Sequence, residues 1–86
     1  MYILGDIGNS ETKIFLVSSK NKILTSLSIP SNKINNKMLN LRFKSLLKNS
    51  KKIEKILFCS VVPKIFNLIK KFLSKKIKIK CYEVKD

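Results

Sequence analysis

Asp6, Gly8, Asn9, Ser10, Thr12 and Lys13 crowd into residues 6–13 of this chain, and together they hold the parts of a phosphate-binding turn. Gly8 removes a side chain, so that backbone N–H groups can approach phosphate oxygens. Asn9, Ser10 and Thr12 bring short donors, and Lys13 brings a point charge. Asp6 ends an apolar run, Tyr2-Ile3-Leu4, that reads as a buried strand, where an ionised carboxylate is expensive without compensation. A cation would compensate it. Mg²⁺ suits a lone carboxylate because it keeps most of its water and takes few protein ligands. Of the five acidic residues in the chain, Asp6 and Glu11 both fall here.

An ordinary hairpin turn, with the Asp6 carboxylate capping it, accounts for the same residues. Asp6 and Glu11 could form a carboxylate pair for acid–base work, but Glu11 lies past the turn and is expected to face solvent. Lys13, one of 18 lysines by count along the sequence, is expected to be exposed as well. Other chemistries are excluded by composition. With no His, neither a Ser–His nor a Cys–His nucleophile system can be built. No Gly-x-x-x-x-Gly-Lys loop occurs.

The elements that must position these residues follow from patterning. Residues 2–8 read as a central strand, apolar on both faces apart from Asp6. Residues 12–18 and 23–29 read as two more strands, the third half-exposed and stopping before Pro30, so that the three form an antiparallel meander. Ser31 to Asn36 reads as a polar loop. Leu39, Phe43, Leu46 and Leu47 share one face of a helix over 37–48, which Asn49-Ser50-Lys51-Lys52 ends. Residues 53–62 form a fourth strand. Pro63 suits the first position of a helix whose stripe is Ile65, Leu68, Ile69, Phe72 and Leu73, with lysines gathered at its end. Residues 77–84 alternate as a fifth strand with one wetter face. The order βββαβαβ implies an α/β fold with one mixed sheet and helices packed against it.

At 86 residues the chain is one small domain whose core is thin, burying roughly 60–65% of its unfolded surface. Its 44% hydrophobic content argues for a globular chain. No apolar run approaches the ~18 residues of a membrane span, and the strand-like N-terminus does not read as a signal peptide. Cys59 and Cys81 match no zinc spacing and are expected to be reduced, buried, core-filling thiols of a cytoplasmic protein. The net charge of +14 invites a nucleic-acid reading. The charge is nearly all lysine, spread along the chain with a single Arg42, whereas base readers lean on Arg. A solvated lysine-rich surface is the expected outcome, with neither nucleic acid nor membrane as partner.

Asp6-Ile7-Gly8-Asn9-Ser10-Glu11-Thr12-Lys13 resembles the N-terminal phosphate motif of type III pantothenate kinases, Asp-x-Gly-Asn-Thr-x-x-Lys. Cys59-Ser60-Val61-Val62-Pro63 is similar to that family's Ser-Ser-Val-Val-Pro, also at a strand-to-helix junction. The resemblance implies a ribonuclease-H-like domain, half of an actin-like two-domain kinase, with residues 1–86 as its N-terminal domain. It implies ATP, Mg²⁺ and a monovalent cation, K⁺ or NH₄⁺, as cofactors, pantothenate as substrate, and a homodimer. Residues 6–13 would cradle the ATP phosphates, with Asp6 toward the metal and Ile7, Glu11 and Thr12 contributing mainly backbone. Ser10 keeps the hydroxyl of the family's Thr, whereas Cys59 replaces a Ser.

The family's enzymes are much longer, and their catalytic Asp lies in a Gly-x-Asp-Arg motif expected downstream of Asp86. The family's acidic pair near the first helix has no counterpart between Glu11 and Glu54. The expected function is therefore that of the N-terminal part of a kinase that phosphorylates pantothenate to 4'-phosphopantothenate, the first step of coenzyme A biosynthesis. Catalysis there would be mostly positioning and charge neutralisation, and this chain alone is expected to be inactive. The rival expectation is a non-enzymatic relic or a basic nucleic-acid-binding module.

Overall fold

The computed structural model describes residues 1–48 and 52–84. Five strands form one sheet: β1 (Tyr2–Ile7), β2 (Glu11–Val17), β3 (Ile23–Pro30), β4 (Lys55–Ser60) and β5 (Cys81–Val84). Their order across the sheet is β3-β2-β1-β4-β5. The pairs β1–β2 and β2–β3 are antiparallel, and β1–β4 and β4–β5 are parallel. This is the expected α/β, ribonuclease-H-like βββαβαβ arrangement, with β1 at the centre. A two- or three-residue turn suffices between antiparallel neighbours, whereas each parallel neighbour needs a helical crossover.

The first crossover starts with a 3₁₀ turn, Ser31–Lys33, followed by α1 (Asn36–Arg42) and α2 (Lys44–Leu47). The single helix expected over 37–48 is thus two pieces that meet at Phe43. Hydrogen bonding passes through the junction, from the Phe43 amide to Leu39 and from the Leu47 amide to Phe43. The helix starts at Asn36 because the Asn35 side chain accepts from the Met38 amide at 2.8 Å, an N-cap. Of the expected stop at Asn49-Ser50-Lys51-Lys52, residues 49–51 lie outside the described residues. The second crossover is α3 (Pro63–Lys76), with Pro63 in its first turn as expected.

Two strands are shorter than their patterns. β4 stops at Ser60 because the Ser60 hydroxyl bonds both the amide and the carbonyl of Val62, turning the chain before Pro63. β5 begins only at Cys81, so Ile77 and Ile79 belong to the approach from α3. β3 runs on to Pro30, which an edge strand tolerates.

All three helices pack on one face of the sheet. That face presents Ile3, Ile7, Ile14, Leu16, Ile56 and Phe58 to Leu39, Phe43, Leu46, Phe66, Ile69, Phe72 and Leu73. Phe66 completes the α3 stripe read from the sequence. Edge-to-face contacts join Phe43 to Phe72 at 5.5 Å and Phe58 to Phe66 at 6.1 Å. Phe58 fits because its register partner in β1 is Gly5, where a Cβ would lie 2.0 Å from the ring. Lys70 and Lys76 lie over the rings of Phe66 and Phe72 at 6.0 and 5.9 Å, so part of the lysine excess shields the rim of the core.

The opposite face departs from expectation. Tyr2, Leu4 and Asp6 of β1 point there, and among the described residues no helix covers them. Asp6 is exposed, so the burial cost argued from its strand does not arise. Cys59 shares that face by register with Asp6 and is exposed, whereas Cys81 is buried on the helical side as expected.

Candidate phosphate-binding site

The stretch from Asp6 to Lys13 is a β-hairpin tip between β1 and β2. Ile7 pairs with Thr12, and the Gly8 amide donates to the Glu11 carbonyl at 3.0 Å. That bond corrects one expectation: the Gly8 amide closes the hairpin rather than pointing at a ligand. Gly8 is needed for closeness, since a Cβ would sit 3.1 Å from the Glu11 oxygen. Neither Asn9 nor Ser10 has a positive φ, so the tip requires no left-handed backbone. Both are exposed at the tip, where their side chains can meet a ligand.

Thr12 corrects a second expectation. Its side chain is fully buried, and its hydroxyl lies 2.9 Å from the Ser31 hydroxyl. Ser31 donates to the Gly8 carbonyl at 2.6 Å. A hydroxyl has one proton, so Thr12 is the donor to Ser31. The Ser31 amide also donates to the Ser10 carbonyl at 3.0 Å. Ser31 therefore clamps the hairpin tip twice, and Thr12 supports the clamp instead of serving as a phosphate donor. Nothing in local patterning marks Ser31, which lies in what reads as a polar loop. Ile7 is wholly buried, so its side chain belongs to the core.

Alternation puts Asp6, Glu11 and Lys13 on the uncovered face of the sheet. Asp6 and Lys13 are cross-strand partners, and both are exposed. The Glu11 carboxylate accepts from the Ser28 hydroxyl on β3. Glu11 is exposed as expected, and this contact turns it toward β3 rather than toward Asp6.

The tertiary structure brings the two sequence motifs together. The Val61 amide donates to the Ile7 carbonyl at 3.0 Å, just past the end of β4. The carboxyl ends of β1, β4 and β5 then enclose an open cleft of about 440 Å³ lined by Asp6, Cys59, Ser60, Val61, Pro63 and Glu83. The carboxyl edge of parallel strands is where open α/β sheets hold ligands. The cleft lies against the first turn of α3, whose backbone dipole favours anions. Glu83 and Val84 enter the lining only through the parallel pairing of β5, which local sequence does not signal. Among the described residues no group of three or more His, Cys, Asp or Glu could hold a metal by itself. Asp6 at such an edge would suit Mg²⁺, which keeps most of its water and takes few protein carboxylates.

A mixed sheet whose carboxyl edge carries Asp6 and Glu83, beside a hairpin tip and a helix start, defines an α/β domain with a candidate ligand cleft at that edge. The chain belongs to the type III pantothenate kinase family, whose model matches residues 2–86. It is 53% identical over 85 residues to the type III pantothenate kinase of Pelagibacter ubique (strain HTCC1062). That alignment takes in 99% of this chain and 34% of the relative, so the chain spans about a third of the length of the curated relative it matches. Among solved structures, the crystal structure of the Aquifex aeolicus member of the Ppx/GppA protein family aligns with a TM-score of 0.45 and 8% identity. It covers 96% of this chain and 34% of that one.

Proposed function

We propose that this chain is the N-terminal, phosphate-binding domain of a cytoplasmic type III pantothenate kinase. In that enzyme the γ-phosphate of ATP passes to the primary hydroxyl of pantothenate and opens coenzyme A synthesis. The observation that carries the reading is the Val61–Ile7 hydrogen bond. It holds the Asp6–Lys13 turn against the Ser60-Val61-Val62-Pro63 junction, so that both motifs border one cleft.

In this reading Asn9 and Ser10 meet phosphate oxygens at the hairpin tip, and Lys13 adds positive charge beside Asp6. Asp6 would hold Mg²⁺, which would neutralise charge on the phosphates. Thr12 and Ser31 keep the tip in shape. No general base is assigned within these 86 residues. The domain alone is expected to bind Mg-ATP weakly and to transfer no phosphate, because the nucleotide would lie between two domains.

Calorimetric titration with Mg-ATP tests the reading. Weak binding that disappears in Asp6→Asn supports it. Retention of the same affinity in Asp6→Asn would refute the role of Asp6. Phosphorylation of pantothenate by the purified 86-residue chain would overturn the incomplete-enzyme reading. Binding to an arbitrary DNA duplex that falls steeply with salt, without ATP binding, would instead favour a basic nucleic-acid module.

A further inference from the structure

A second cavity, of about 520 Å³, lies between the 3₁₀ turn Ser31–Lys33 and the first two turns of α3. It shares no lining residue with the Asp6 cleft. Its apolar walls are Ile34, Val62, Ile65 and Leu68, side chains that pack on the core yet stay half-buried. Lys64 and Lys71 line it as well and are exposed, and among the described residues no carboxylate does so. A cavity of this size, mostly apolar with a few placed polar groups, is the usual form of a small-molecule site.

The lining selects the ligand. Apolar walls disfavour a strongly hydrated polar molecule. Two ammonium groups with no opposing carboxylate attract a negative head group and repel a positive one. The cavity also abuts the start of α3, where the backbone dipole favours an anion. Ser31 gives the cavity a second property. It is buried in the wall, its hydroxyl donates to the Gly8 carbonyl, and its amide donates to the Ser10 carbonyl. A ligand seated against Ser31 therefore acts on the hairpin tip through a single residue. We propose that this cavity is a second ligand site, which takes a small amphipathic carboxylate with an aliphatic chain and passes its occupancy to the hairpin tip through Ser31. The site is separate from the phosphate cleft, so it is tested without nucleotide.

The test titrates the ¹⁵N-labelled 86-residue chain with octanoate and follows its amide resonances. The expected result is saturable shifts at Ile34, Ile65 and Leu68, accompanied by shifts at Gly8 and Asn9 on the hairpin tip. Acetate lacks the chain and octylammonium reverses the charge, so neither should reproduce the pattern. Leu68→Gln should weaken octanoate about tenfold through lost apolar contact. Lys71→Gln, at an exposed position, should weaken it about threefold, as an exposed ion pair does. Lys22→Gln removes the same charge in the turn between β2 and β3 and should leave affinity unchanged, which separates the cavity from the general positive charge. Circular dichroism melts confirm that each variant folds. Octylammonium binding as tightly as octanoate, no saturable shift at the cavity, or wild-type affinity in both Leu68→Gln and Lys71→Gln would overturn the proposal. Cavity shifts without any change at Gly8 would overturn the coupling to the tip. Displacement of octanoate by pantothenate would assign the cavity to the kinase substrate and overturn it too. Loss of Mg-ATP binding in Asp6→Asn with octanoate binding intact would separate this site from the phosphate-site reading.

Discussion

The Thr12 hydroxyl donates to Ser31 across 2.9 Å, inside the protein and nineteen positions away in sequence. Through Ser31 it reaches the Gly8 carbonyl and so fixes the hairpin tip that would meet phosphate. Removing the middle member orphans both neighbours. Ser31→Ala should destabilise the domain by about 1–3 kcal/mol, the usual cost of unpaired buried polar groups. Urea denaturation measures it. A change within error would mean that water replaces the hydroxyl. Mg-ATP affinity should also fall in this variant although Ser31 touches no ligand, because the tip loses its clamp.

Gly5 and Phe58 form the second tight coupling. A Cβ at Gly5 would meet ring atoms at 2.0 and 2.1 Å. The ring is backed by Phe66 and has little room to yield. Gly5→Ala is expected to cost about 1–3 kcal/mol through overpacking. The double variant Gly5→Ala with Phe58→Leu should recover part of that loss relative to the sum of the single changes. Strict additivity in thermal melts would contradict the clash.

The two thiols should behave differently. Cys59 is exposed and Cys81 is buried. The folded protein should therefore titrate one fast thiol with Ellman's reagent, and the unfolded protein two. Two fast thiols in the native state would contradict the placement of Cys81.

Burial pushes the Cys81 thiol from 9.0 up to about 11, with the Lys70 ammonium pulling it part of the way back. The folded state thus holds this proton more tightly than the unfolded one, and stability falls wherever only the unfolded thiol ionises. The contribution is intact below pH 9 and is lost as pH rises from 9 toward 11. The melting temperature should drop across that window more steeply in wild type than in Cys81→Ala. Parallel curves would remove Cys81 as the cause.

Salt should stabilise the domain. Its +14 charge is self-repulsive, and the 4.0 Å contact between the N-terminal ammonium and Glu54 offsets little of it. Raising NaCl shortens the screening length from about 10 Å at ~0.1 M to about 3 Å at ~1 M, which weakens that repulsion. A melting temperature that falls with added NaCl would contradict this.

Much of the architecture could be read from the residues alone, because periodicity is local. Alternation marks β2, and the Ile65–Leu73 stripe marks α3 with Pro63 at its head. Gly8-Asn9-Ser10 marks a turn wherever it occurs, since short polar residues satisfy their own backbone. The same short-range patterning made residues 6–13 and 59–63 visible as motifs.

Tertiary structure decided which atoms of those motifs are available. Thr12 and Asn9 look alike as donors in sequence, yet strand pleating turns Thr12 inward to Ser31 and leaves Asn9 at the tip. Asp6 looked buried because its neighbours are apolar. It is exposed because all three helices chose the other face of the sheet, and that choice depends on the hand of two crossovers rather than on any local residue. Likewise the bond from Val61 to Ile7, which joins the motifs at one cleft, exists only once β4 lies parallel to β1.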